Sequence, residues 1–103
     1  MILTAATVLT GDHSHSPGWV EVDRGVVVGV GAGAPPGSAD LALGDEVLTP
    51  GFVDMHVHGG GGGAFFEATD EAVTASVTLH RRFGTTSTMA SLVSDHHEVL
   101  VAQ

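Results

Sequence analysis

Two histidines at alternate positions are the residues of this chain best suited to chemistry. His56 and His58 lie in residues 52–58, where apolar and polar side chains alternate. Side chains of a β-strand point alternately to its two faces, so both imidazoles are expected to project the same way and to approach one metal ion as neutral nitrogen ligands. A bare His-x-His can also be no more than a polar patch. The Pro-Gly-Phe-Val-Asp that precedes the pair and the five glycines that follow favour the metal site.

The side-chain pattern of the same strand indicates what lies on each of its two faces. Val53, Met55 and Val57 form one apolar face, and Asp54 shares the other face with the histidines. We interpret Asp54 as a supporting residue and assign it no catalytic role. An apolar outer face and a polar inner face are typical of a strand near the carboxyl end of a (β/α) barrel. The glycines at 59–63 would allow a tight turn above the site and leave room for a substrate.

The elements after the glycines read as helix, strand and helix. Thr69 is the expected N-cap of a helix that ends at Arg82, with Gly84 as its C′ residue. The expected apolar stripe of this helix is Ala72, Val73, Val77, Leu79 and Phe83. Residues 85–94 predict a buried strand, and Asp95 with Glu98 predicts a capping box that opens another helix. A β–α–β order predicts two parallel strands joined by a right-handed crossover.

Residues 1–49 predict short strands separated by turns. Residues 1–10 are mostly apolar or β-compatible, and residues 11–18 read as a polar loop. Residues 19–22 and 26–30 predict a hairpin. Further short strands are expected around residues 41–43 and 47–48, antiparallel in character, with Trp19 in the core.

Composition excludes several function classes. The chain has 103 residues and a formal net charge of -9, which disfavours nucleic acid and anionic membranes as partners. It has no cysteine, which removes disulfides, zinc fingers and iron–sulfur ligation. It also lacks lysine, so the glycine run cannot complete a phosphate-binding P-loop. With no apolar run of roughly 20 residues and no basic leader at Met1, a soluble, cytoplasmic protein is expected.

The other five histidines are weaker candidates. We interpret His13 and His15 as residues of a solvated loop, although their spacing repeats that of the first pair. His80 is expected at the surface, near the helix C-terminus, where a cationic imidazole suits the helix dipole. His96 and His97 are adjacent, diverge around a helix and are expected at the surface.

Residues 48–59 resemble the first barrel strand of the amidohydrolase superfamily of metal-dependent hydrolases. The glycine run, residues 80–84 and residues 85–94 are similar, within that superfamily, to the N-acetylglucosamine-6-phosphate deacetylase family. The resemblance implies an α/β fold in which strands of a small β-sandwich (residues 1–49) precede the first β-α-β units of a TIM-type (β/α)8 barrel (residues 50–103). Residues 85–88 and Ser91 are then candidates to line the barrel mouth, although threonine is also an ordinary strand residue.

The resemblance also implies a function. It is the hydrolysis of N-acetylglucosamine 6-phosphate to glucosamine 6-phosphate and acetate, with a divalent metal, zinc or similar, as cofactor and a homodimer as the assembly. His56 and His58 match the family's metal positions. The later-strand glutamate, two further histidines and the catalytic aspartate of the family have no counterpart in residues 1–103, so no catalytic residue is assigned here. The chain is therefore expected to be an amino-terminal fragment, inactive alone. The alternatives are a dihydroorotase-like cyclic amidase, an N-acyl-amino-acid deacylase and a noncatalytic remnant.

Overall fold

The chain divides into two compact units. The computed structural model describes residues 1–102, and its units are Met1–Pro50 and Gly51–Gln103. The first unit is built of strands, and both α-helices lie in the second, so the fold is mixed α/β and rich in sheet. Among the described residues, no helix is long and apolar enough to cross a membrane.

The first unit contains seven strands in two sheets. They are β1 (Ile2–Ala5), β2 (Thr7–Leu9), β3 (Ser14–His15), β4 (Gly18–Asp23), β5 (Val26–Ala32), β6 (Leu41–Ala42) and β7 (Val47–Leu48). The strand order is β5-β4-β1-β6 in one sheet and β3-β2-β7 in the other. Ala5 and Val8 are the buried apolar residues of this unit.

The β-compatible residues 1–10 form two strands in different sheets, because the chain leaves the first sheet at Ala6. Two expectations for this unit were wrong. The predicted loop at residues 11–18 contains β3, which pairs with β2. β6 and β7 are not antiparallel but pair in parallel with β1 and β2. Parallel pairing depends on partners distant in sequence, which short-range alternation does not report.

The predicted hairpin is confirmed. β4 and β5 are antiparallel, with Asp23 opposite Val26. The two connecting residues, Arg24 and Gly25, have φ values of 47° and 80°. Positive φ at both central residues is what a two-residue type I′ turn requires.

Trp19 is half-buried across the β4–β5 ladder rather than fully in the core. It lies opposite Gly31, and a Cβ at Gly31 would come within 2.8 Å of its ring. The glycine therefore makes room for the indole on the neighbouring strand.

The second unit is a β-α-β arrangement with a small hairpin inserted after its first strand. Its elements are β8 (Phe52–Val57), β9 (Gly59–Gly60), β10 (Gly63–Ala64), a 3-10 turn (Phe65–Glu67), α1 (Asp70–Arg82), β11 (Thr85–Ala90) and α2 (His97–Ala102). β8 and β11 are hydrogen-bonded neighbours and run parallel, as predicted.

Helix α1 has the predicted bounds and caps. The Thr69 side-chain oxygen accepts a hydrogen bond from the Ala72 backbone N–H at 3.2 Å. Gly84 follows the helix with a φ of 94°, the left-handed conformation expected at C′. Asp70 and Glu71 lie in the first turn, where negative charge is favourable.

The buried face of α1 differs from the predicted stripe. Ala72 and Ser76 are its buried residues, whereas Val73 and Val77 are each 41% exposed and Phe83 is 74% exposed. The difference arises because α1 packs on the glycine hairpin β9–β10. The hairpin backbone comes so close that the facing turn of the helix must carry small side chains.

The last part of the unit also departs from prediction. β11 ends at Ala90 rather than at residue 94, and five of its six residues are exposed. Helix α2 begins at His97, so His96 rather than Asp95 directly precedes it, and the Asp95 carboxylate accepts the neighbouring His96 backbone N–H at 2.7 Å. Helix α2 has no buried residue.

Candidate metal centre

The histidine pair lies at the carboxyl end of two parallel strands. Ala90, the last residue of β11, is opposite Val57, the last residue of β8. The Ser91 backbone N–H then donates to the Val57 carbonyl at 2.9 Å, which extends the pairing by one residue. His56 and His58 flank Val57 and therefore lie at this end of the strands.

A β-bulge interrupts the strand just before the pair. Asp54 is opposite Thr88 and Val57 is opposite Ala90, so β8 has one residue more than β11 between these points. The Asp54 carboxylate accepts the His56 backbone N–H at 3.1 Å. Asp54 thus supports the backbone of the first histidine. Bulges of this kind redirect side chains and recur next to active sites.

The two imidazoles are close together and open to a ligand. Their ring centroids are 4.8 Å apart and their planes lie at 89° to each other. Both His56 and His58 are exposed. The predicted projection of the two rings to the same side is consistent with this short separation.

One hydrogen bond sets the tautomer of His58. Its Nδ1 lies 2.8 Å from the Ser91 carbonyl oxygen. A carbonyl oxygen only accepts, so Nδ1 carries the proton and, in the neutral ring, Nε2 presents its lone pair. Metal-binding histidines commonly donate their other ring nitrogen to a carbonyl in this way. The donor chemistry of His58 therefore fits a divalent metal held through Nε2.

The glycine run after His58 is an ordered hairpin rather than an open loop. Gly60 pairs with Gly63, and the two residues between them have positive φ. A Cβ at Gly63 would lie 2.5 Å from the Ala72 carbonyl oxygen of α1. The hairpin backbone therefore packs directly on the helix. The Phe65 N–H donates to the His58 carbonyl at 2.9 Å and fixes the chain where it leaves the site.

Two side chains of α1 contact this hairpin, and neither role was predicted from the sequence. The fully buried Ser76 hydroxyl lies 3.0 Å from the Gly63 carbonyl oxygen. His80 is half-buried, and its Nε2 lies 3.0 Å from the Gly59 carbonyl oxygen. His80 was expected at the surface. The signal in the sequence was the four-residue spacing of Ser76 and His80, which places both side chains on one helix face, in a helix that follows a glycine run.

The described residues bring two imidazoles together at this position and no third candidate ligand. Within residues 1–102, no three His, Cys, Asp or Glu side chains come together to hold a metal ion. His13 and His15 stack with their ring centroids 6.2 Å apart in the first unit. His96 and His97 are exposed. Catalytic zinc sites generally use three protein ligands and an open position, so this pair fits part of such a site.

The fold and the histidine pair together define a ligand-binding position of the kind found in α/β enzymes. α/β enzymes bind their ligands beyond the carboxyl ends of parallel strands, which is where the two imidazoles lie.

Comparisons with known proteins name the relatives. No family model matches the chain. N-acetyl-D-glucosamine-6-phosphate deacetylase from Mycobacterium smegmatis has a crystal structure that matches 99% of this chain with 53% identity and a TM-score of 0.95. A mutant of that enzyme in complex with N-acetyl-D-glucosamine-6-phosphate matches with the same values.

Curated relatives carry related names. N-acetylgalactosamine-6-phosphate deacetylase of Shewanella sp. (strain ANA-3) is 31% identical over 99% of this chain. N-acetylglucosamine-6-phosphate deacetylase of Bacillus subtilis (strain 168) is 27% identical over 94% of it. The predicted resemblance to these deacetylases is confirmed. The chain spans 25% to 27% of these two relatives and 29% of the first M. smegmatis chain.

Proposed function

We propose that this chain is the amino-terminal part of a metal-dependent deacetylase that hydrolyses N-acetylglucosamine 6-phosphate to glucosamine 6-phosphate and acetate. The observation that carries the proposal is the 53% identity and 0.95 TM-score to the M. smegmatis deacetylase over 99% of this chain. The bound sugar phosphate in the mutant structure of that enzyme supports the substrate class.

In this proposal His56 and His58 hold the metal. The support is their separation of 4.8 Å between ring centroids, their exposure and the Nδ1 donation of His58 to a backbone carbonyl. The remaining ligands and the acid/base group belong to parts of the full-length protein beyond these residues. When bound, a divalent ion supplies Lewis acidity toward the scissile amide and the attacking water.

The contribution of residues around the pair is to position the two histidines. The Asp54 carboxylate holds the backbone of His56, the Ser91 carbonyl holds the ring of His58, and the glycine hairpin fixes the chain immediately after them. Rigid support of this kind keeps ligands in place without reorganisation when substrate binds.

The proposed architecture follows the same resemblance. Residues 50–103 are the first β-α-β units of a (β/α)8 barrel, and residues 1–49 are strands of a flanking β-sandwich. The parallel β8–α1–β11 arrangement supports the first assignment. A homodimer is proposed for the full-length protein.

The test is substrate profiling of the full-length protein with zinc. We expect release of acetate from N-acetylglucosamine 6-phosphate, and much less from unphosphorylated N-acetylglucosamine. N-acetylgalactosamine 6-phosphate is the second candidate substrate, because the Shewanella relative is named for it. Faster hydrolysis of dihydroorotate or of N-acyl amino acids would contradict the proposal in favour of another amidohydrolase, and absence of all hydrolysis would favour a noncatalytic remnant.

A further inference from the structure

Ser91 is placed between the two histidines by the backbone. It is the first residue after β11, and its N–H donates to the carbonyl of Val57, the residue that separates His56 from His58. The side chain is half-buried. Ser91 therefore reaches both imidazoles from a position fixed by the strand pair.

Each polar group of Ser91 faces a different histidine. Its carbonyl oxygen accepts from His58 Nδ1 at 2.8 Å. Its hydroxyl oxygen lies 3.4 Å from His56 Nδ1 and 3.4 Å from the Met89 carbonyl oxygen. These last two contacts are long for hydrogen bonds, so the hydroxyl acts more weakly than the carbonyl.

The hydroxyl has only one proton to share between these two contacts. The Met89 carbonyl can only accept, whereas His56 Nδ1 can either donate or accept. Both contacts can therefore be made together only if the serine proton goes to the carbonyl and His56 donates from Nδ1 to the hydroxyl oxygen. In this arrangement both neutral imidazoles carry their proton on Nδ1 and leave Nε2 free.

We propose that Ser91 is a positioning residue that sets both histidines as Nδ1–H tautomers, with their Nε2 atoms available to one cation. The inference rests on the proposed metal site and adds to it a residue that touches neither the metal nor the substrate. Groups that orient metal-binding histidines typically change metal affinity by about 10- to 100-fold when removed.

The first test measures zinc affinity of the full-length protein by competition with a chelator. Ser91→Ala removes the hydroxyl and keeps the carbonyl, so we expect affinity to fall about tenfold, the lower end of that range. Ser91→Thr keeps a hydroxyl and is expected to stay near wild type. Ser94→Ala, at an exposed position on the same segment, is the matched control. Wild-type affinity in Ser91→Ala, or an equal loss in Ser94→Ala, would overturn the inference.

The second test needs no variant of Ser91. Nitrogen-15 NMR of the metal-free protein, with the two rings assigned, reports which nitrogen carries the proton in each neutral imidazole. We expect Nδ1–H for both rings, and an Nε2–H tautomer at His56 would overturn the role of the hydroxyl.

The zinc affinity of His56→Ala distinguishes a failure of the metal site from a failure of the role of Ser91. If the variant leaves zinc affinity unchanged, the metal site itself is wrong. If His56→Ala lowers the zinc affinity while Ser91→Ala does not, only the role of Ser91 is wrong.

Discussion

Ser76 shows how a single small side chain can organise the segment next to the site. Its hydroxyl lies 2.8 Å from the Ala72 carbonyl oxygen, 3.0 Å from that of Gly63 and 3.3 Å from that of Gly60, and it accepts the Gly60 N–H at 3.2 Å. The residue has no exposed surface. The single hydroxyl proton can go to only one of these carbonyls at a time, whereas the oxygen accepts the Gly60 N–H of the hairpin throughout.

Replacing Ser76 with alanine is therefore expected to loosen the hairpin. The Gly60 N–H would lose its partner in a half-buried position, at a cost of about 1–3 kcal/mol. Hydrogen exchange of the Gly60 amide in the full-length protein should accelerate by about 5- to 160-fold, which is that cost expressed as an opening constant. Thr78→Ala, at an exposed position on the same helix, is the control. Unchanged exchange at Gly60 would show that the hydroxyl does not hold the hairpin.

At the scale of elements, the hairpin β9–β10 and helix α1 depend on backbone-to-backbone contact. A Cβ at Gly63 would lie 2.5 Å from the Ala72 carbonyl oxygen and 2.6 Å from its Cα. Neither atom can move without shifting the helix. Glycine is needed at Gly63 for space, and this packing also explains why the buried face of α1 carries alanine and serine.

Gly63→Ala should therefore destabilise the full-length protein through overpacking, by about 1–3 kcal/mol. The matched control is Gly11→Ala, where an added Cβ meets nothing within 4 Å. The midpoint of urea unfolding measures both variants. An equal midpoint for the two would contradict the proposed close contact between hairpin and helix.

The sequence predicted the elements with local signals and missed those that depend on distant partners. The caps of α1 and the β4–β5 turn are specified by residues a few positions apart, and both form as expected. The parallel pairing of β6 and β7 and the bulge in β8 depend on neighbours far along the chain. The His56–His58 pair was recognisable from spacing, whereas the contact of Ser91 with both rings became evident only once β11 was placed beside β8.

At the scale of the whole molecule, large apolar surfaces lie open in the described residues. In the first unit, both sheets line an apolar groove of about 370 Å³. In the second, Phe52, Val53 and Met55 of β8 are 58%, 67% and 76% exposed. Strands with such faces are normally covered by further elements. These surfaces accord with the proposal that the chain is one part of a longer enzyme.

Anomalous X-ray scattering from zinc in crystals of the full-length protein shows whether His56 and His58 bind one metal ion together. We expect one peak about 2.0–2.1 Å from the Nε2 atoms of both rings, with His58 Nδ1 still donating to the Ser91 carbonyl. A zinc peak elsewhere, with both imidazoles turned away from it, would contradict binding by the pair.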